Sequence, residues 1–167
     1  MMIRQATTED YPEIYALVKQ AFKTAQVSDG KEQDFVTELR QRDTFLPELE
    51  FVAEENGELI GHVMLTEQSV DQEDVSGLLL APLCVAFAYR NQGIGGKLLA
   101  TALDQAVQLE KQAVFLVGNS EYYARHGFQQ VKMFGLENHS EVPDQFVLGR
   151  ELIPGSLKNV TGGLALH

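Results

Sequence analysis

The chain has one cysteine, Cys84, in 167 residues, so it cannot close an intrachain disulfide, and nothing points to an oxidising compartment. It is poor in basic residues. Thirteen Lys and Arg stand against 24 Asp and Glu, a formal net charge of −11. That balance argues against nucleic acid or an anionic membrane as partner, since both are gripped by basic surfaces. Two readings of the acidity stay open: solubility of a cytosolic protein, or mild attraction for a cationic substrate such as an amine. No apolar run approaches the length that spans a bilayer, and Leu78 to Ala88 is too short. The N-terminus, Met1 to Asp10, lacks the apolar core of a signal peptide, so the expected location is the cytoplasm. The four histidines show no metal-ligand spacing, and no metal is expected. No repeat, low-complexity tract or linker divides the sequence. A single domain over residues 1–167 is expected, with a core of about 3–152 and a weakly patterned tail, 153–167. A hydrophobic fraction of 44% is enough for one sizeable core.

The patterning that is present reads as α/β. Ile3 to Ala6 suits a short first strand. Thr7, Thr8 or Asp10 caps a helix with Pro12 in its first turn and Tyr11, Ile14, Tyr15, Val18 and Phe22 on one face. Phe35, Val36 and Leu39 fit a second helix ending near Arg42. Glu50 to Glu55 and Leu59 to Thr66 are strands joined by the hairpin turn Asn56-Gly57. Leu78 to Phe87 is a long apolar strand. The helix after it carries Ile94, Leu98, Ala102, Leu103, Ala106 and Val107 on one side. Ala113 to Val117 suits a strand buried on both faces. Glu121 to His126 reads as a short helix stopped by Gly127, and Phe128 to Val131 and Gln145 to Leu152 as final strands. The central strand–helix–strand unit predicts a right-handed crossover between parallel strands.

Between the long strand and its helix stands Arg90-Asn91-Gln92-Gly93-Ile94-Gly95-Gly96. A glycine-rich turn at a helix start presents backbone N–H groups at the positive end of the helix, a seat for phosphate. Three glycines in four residues cost backbone entropy, which a bare turn would not require. A P-loop is excluded, because Lys97 is followed by Leu98 and Asn91 stands where its first glycine belongs. A dinucleotide fingerprint lacks its third glycine, at Leu98, and its acidic residue about 20 positions on.

A third seat, Arg/Gln-x-x-Gly-x-Gly/Ala, is matched in full by Arg90 to Gly95. The stretch resembles the acetyl-CoA-binding motif of the GCN5-related N-acetyltransferases, the GNAT superfamily. The preceding Leu83-Cys84-Val85 is similar to that family's strand along the pantetheine arm, and Tyr123-Ala124-Arg125-His126-Gly127-Phe128 resembles its Tyr-x-x-x-Gly-Phe segment. The resemblance implies a GNAT fold: a mixed, mostly antiparallel central sheet with flanking helices and a central parallel strand pair splayed at a bulge. Pro82 is consistent with that bulge or with a locally tolerated proline.

The resemblance also implies acetyl-CoA as co-substrate and acetyl transfer to a primary amine, small-molecule or protein-borne, by direct attack on the thioester. N–H groups from Asn91, Gln92, Gly93, Ile94, Gly95 and Gly96 would hold the pyrophosphate, with Arg90 or Lys97 adding charge. Leu83, Cys84 and Val85 would line the arm, and Asn119 and Ser120 are weaker candidates. A main-chain N–H near Val85 would meet the oxyanion. Tyr123, four residues before Gly127, would protonate the departing thiolate, since a tyrosine of pKa about 10 is protonated at neutral pH. The general base is open. The strand before the glycines carries no acid, which leaves water or Glu50, Glu54, Glu67 or His62. Cys84 reads as a buried strand residue and not a nucleophile. The alternative is an acyl-CoA-binding sensor or interaction module without catalysis. Acceptor choice is expected in Ala25 to Gln33 and Met133 to Pro143. Family members often dimerise, but no feature here requires it.

Overall fold

The computed structural model describes residues 1–23, 29–71 and 73–166. The expected acceptor segment therefore lies partly outside the described residues, over 25–28. The architecture is α/β: a mixed, mostly antiparallel sheet with one parallel pair, and flanking helices. The chain packs as two compact units, Met1–Thr66 with Ala81–Gln105, and Glu67–Leu80 with Ala106–His167.

In the first unit, β1 (Met2–Gln5) pairs antiparallel with β2 (Phe45–Glu55), and β2 with β3 (Glu58–Gln68). The β2–β3 turn is Asn56-Gly57 with φ of 52° and 80°, the left-handed pair a tight hairpin needs. α1 (Tyr11–Ala21) follows a 3-10 turn at Thr8–Asp10. The Asp10 carboxylate accepts from the Thr7 N–H at 2.8 Å and from the Arg4 guanidinium at 2.8 and 2.9 Å. The Arg4 bonds hold Asp10 far below the usual carboxylate range. α1 buries Ile14, Leu17, Val18 and Ala21, and α2 (Glu32–Arg40) buries Val36 and Leu39. These pack with Val52, Met64 and Cys84 in one apolar cluster. Tyr15, expected on the inner face of α1, is exposed and hydrogen-bonds Asp34.

β4 (Gly77–Val85) enters the first unit at Ala81, and α3 (Ile94–Gln108) follows. β4 ends two residues earlier than the apolar run suggested, because Phe87–Tyr89 winds into a 3-10 turn. α3 buries Leu99 in addition to Ile94, Leu98, Ala102, Leu103 and Ala106, while Val107 is exposed.

In the second unit, β4 runs parallel to β5 (Ala113–Val117) over Gly77–Leu79, and β5 pairs antiparallel with β8 (Val147–Glu151). β6 (Gln129–Gln130) also pairs with β8. The Phe115 ring fills the space that side chains at Gly77 and Gly149 would need. A Cβ at Gly77 would lie 2.7 Å from the Gln68 carbonyl and 3.1 Å from Phe115 Cε2. Gly77→Ala is expected to lower stability by about 1–3 kcal/mol, because neither neighbour is a flexible chain end. An unchanged melting temperature would contradict that approach. The tail is more ordered than its weak pattern suggested. β9 (Gly163–Leu164) pairs in parallel with β7 (Glu137–Asn138), and Leu157, Leu164 and Leu166 are buried.

Candidate active site

The residues singled out by sequence fall in both units. In the first, Leu83, Cys84 and Val85 form the end of β4. The Ala86 N–H donates to the Ile60 carbonyl at 2.8 Å, which continues the ladder to β3 past the last strand residue. A Cβ at Gly61 would lie 2.7 Å from Leu98 Cδ1 and 3.3 Å from the Cys84 carbonyl, so this glycine lets α3 approach the sheet beside the end of β4. Cys84 is buried, and burial pushes its thiol up to about 12. A thiolate is then scarce at neutral pH, which agrees with a strand residue and not a nucleophile.

The turn opens on Arg90 and reverses through two left-handed residues, Asn91 (φ 63°) and Gly93 (φ 79°). Gly93 meets the φ requirement at no steric cost. Asn91, Gln92, Gly93 and Lys97 are exposed, Gly95 and Gly96 are half-buried, and Ile94 is buried as the anchor. α3 then starts, with the Lys97 N–H on the Gly93 carbonyl at 3.1 Å. Its first turn contains no acidic residue. N–H groups at the start of a 15-residue helix whose first turn carries no acid suit an anion. The Arg90 side chain does not point outward from this turn. It turns back, with Nη2 on the Ala21 carbonyl at 2.6 Å and Nε on the Val85 carbonyl at 3.3 Å.

Two of the residues named as base candidates, Glu50 and His62, meet in a buried network that sequence reading did not assemble. Glu50 accepts from Arg40 Nη2 at 2.6 Å and from His62 Nε2 at 2.7 Å. Arg40 stacks over the Tyr11 ring at 3.7 Å. Burial opposes charge on Glu50, but the His62 and Arg40 hydrogen bonds outweigh it and hold the carboxyl below its usual value. Burial pushes the His62 imidazole below its ordinary value against the pull of Glu50. A carboxylate only accepts, so the neutral ring carries its proton on Nε2. His62 Nδ1 is buried without a hydrogen-bond partner among the described residues. Of the other base candidates, Glu54 accepts from Arg4 at 3.1 Å and Glu67 is exposed.

In the second unit, the Asn119 side chain caps the short α4 (Ser120–Ala124), accepting from the Glu121 and Tyr122 N–H groups at 2.8 and 3.2 Å. Tyr123 is half-buried, its ring edge-on to Phe128 at 5.6 Å. A Cβ at Gly118 would lie 2.7 Å from Tyr123 Cε2, so the ring lies against bare backbone after β5. Gly127 (φ 84°) ends α4, and the Phe128 N–H returns to the Tyr123 carbonyl at 3.1 Å. This glycine-terminated helix end accounts for the Tyr-x-x-x-Gly-Phe spacing. Among the described residues, no group of three or more His, Cys, Asp or Glu is placed to hold a metal, and no helix is long and apolar enough to cross a membrane.

A family model described as an acetyltransferase (GNAT) domain matches residues 47–130, a span that includes both motifs. Over all 167 residues the chain is 30% identical to YhbS of Escherichia coli K12, an uncharacterised N-acetyltransferase, and covers 96% of it. It is 36% identical over 102 residues, 60% of its length, to the uncharacterised N-acetyltransferase YjhQ of the same organism, where the match spans 56% of the relative. The crystal structure of YhbS from Escherichia coli in complex with CoA superposes with a TM-score of 0.89 at 30% identity, over 99% of this chain and 89% of that one. A GNAT family acetyltransferase from Brucella melitensis in complex with acetyl-CoA gives 0.81 at 26% identity, over 99% and 95%. The chain belongs to the GNAT family of acetyltransferases.

Proposed function

We propose that this protein is a cytoplasmic, single-domain N-acetyltransferase that moves an acetyl group from acetyl-CoA to a primary amine. The observation that carries the reading is the turn at Asn91–Gly93. Two left-handed residues open α3 with no acid in its first turn, in a chain of this family. The N–H groups from Asn91 to Gly96 take the pyrophosphate, with Lys97 beside them. The end of β4, Leu83 to Val85, takes the pantetheine arm, and Asn119 is a second contact for it.

The amine nitrogen attacks the thioester carbonyl carbon. A C–N bond forms, the C–S electrons leave with sulfur, and the amine proton passes to water or a carboxylate. The Val85 N–H donates to the developing oxyanion. The Tyr123 hydroxyl returns a proton to the thiolate. The acidic composition favours a cationic acceptor. Glu50 is already committed to Arg40 and His62, so the base is placed elsewhere.

The test is thiol release from acetyl-CoA with a panel of amines. Tyr123→Phe keeps the ring that packs on Gly118 and removes the proton donor. It is expected to lower kcat by about 10²-fold, within the range of general acid catalysis, with coenzyme A affinity unchanged. Tight coenzyme binding by the wild type without turnover of any amine would replace the reading with an acyl-CoA-binding module.

A further inference from the structure

We infer that Arg90 is a positioning residue that locks the peptide group between Val85 and Ala86, and that its side chain is not a ligand of the phosphates. The inference rests on the acetyl-CoA reading above. The guanidinium donates to two main-chain carbonyls, Ala21 at 2.6 Å and Val85 at 3.3 Å. Its central carbon stands over the Phe87 ring, 5.4 Å from the centroid. Its Nε and Nη2 are therefore engaged by backbone.

The Val85–Ala86 peptide group is held at both ends. Its carbonyl takes the Arg90 Nε–H, and its N–H donates to the Ile60 carbonyl at 2.8 Å. It cannot rotate without breaking one of these bonds. The Cys84 carbonyl lies on the β3 side, 3.3 Å from where a Gly61 Cβ would stand. The Val85 N–H, trans to that carbonyl, faces away from β3. This is the N–H proposed to meet the oxyanion, and a fixed direction is what such a donor requires.

The other carbonyl belongs to Ala21, the last residue of α1. A cation at a helix C-terminus is favourable there, because the last carbonyls lack intrahelical partners. One side chain thus ties the end of α1 to the end of β4. Lysine would not reproduce this, since its three N–H groups share one nitrogen, whereas Arg90 uses two nitrogens held apart in a planar fork.

Arg90→Ala and Arg90→Lys test the assignment, read by three measurements on the full chain. Amide exchange of the ligand-free protein is followed by NMR at Ala86 and at the α1 C-terminus. Coenzyme A affinity is measured by calorimetry. Turnover is measured with the most active amine, with and without added guanidinium ion. Exchange at Ala86 is expected to quicken by about tenfold or more in both variants. Coenzyme A Kd should stay within about threefold, while kcat falls by about tenfold and is partly restored to Arg90→Ala by guanidinium. Unchanged exchange at Ala86, or a Kd raised by more than about tenfold, would overturn the assignment in favour of a phosphate ligand. If Arg90→Ala does not fold, Arg90→Lys decides by the same criteria. If the wild type turns over no amine, the functional reading fails, and exchange and affinity still decide the role of Arg90.

Discussion

Glu50→Ala is expected to lower stability by about 3–5 kcal/mol, because it strands the guanidinium that Glu50 pairs with and the neutral imidazole whose N–H it accepts. The Glu50 side chain is 1% exposed, His62 is fully buried and Arg40 is 10% exposed. None can recover its lost hydrogen bonds from water without opening the core. For a domain of this size the change corresponds to a fall of about 6–20 °C in melting temperature. A loss below about 1 kcal/mol, as for an exposed ion pair, would contradict this account. Replacing Arg40, Glu50 and His62 together by apolar residues of similar volume should cost less than Glu50→Ala alone, since no unpaired charge is left behind.

The network also sets an acid limit. The folded His62 value lies below its ordinary 6.5, so as pH falls through that value the unfolded chain takes up a proton that the folded chain refuses. Stability is therefore present above about pH 6.5 and declines below it. Glu50, also held low, adds a second loss as pH falls further. Exposed His139 acts in the opposite sense. Its bond to Glu137, with one to Asp71, raises its value, so its small contribution is present in acid and lost as pH rises. Thermal unfolding between pH 7 and 5 should show a decline that His62→Phe flattens. An equal decline in that variant would assign the effect to other groups.

The second large effect is on ligand binding. Gly95→Glu places a carboxylate in the first turn of α3, where the wild type has no acid. Within the helix the substitution is favourable, because glutamate is a better helix former than glycine and suits a helix N-terminus. For the pyrophosphate it is a like charge at the seat. Coenzyme A affinity is expected to fall by at least about 100-fold, about 2.7 kcal/mol, with the melting temperature held or raised. Unaltered affinity would remove the glycine turn from the site.

The legible parts of the sequence were those with a strong local signal. Ala113–Val117 is the strand its apolar run predicted, Asn56-Gly57 is the hairpin turn, and Gly127 ends its helix at positive φ. The glycine motif was legible because its turn must use left-handed backbone. Features that depend on distant partners were not. Glu50 reads as the start of a strand and a base candidate, and its partners Arg40 of α2 and His62 of β3 are brought to it only by the fold. β2 begins at Phe45 and not at Glu50, and the apolar pattern hides its first residues, because Pro47, Glu48 and Glu50 interrupt it over a stretch where the register shifts. β7 and β9 span two residues each, too short for any period. The inward turn of Arg90 was hidden for the same reason, since its partner Ala21 lies 69 residues away.

In the proposed reaction, Asn91 to Lys97 grips acetyl-CoA so that its acetyl group can pass to an amine. The most direct test follows free thiol and N-acetylated product together, with acetyl-CoA and an amine panel, for the wild type and Gly95→Glu. The account predicts equal amounts of thiol and N-acetyl product from the wild type and neither from the variant. Thiol release without acetylated amine, or equal turnover by the variant, would contradict it.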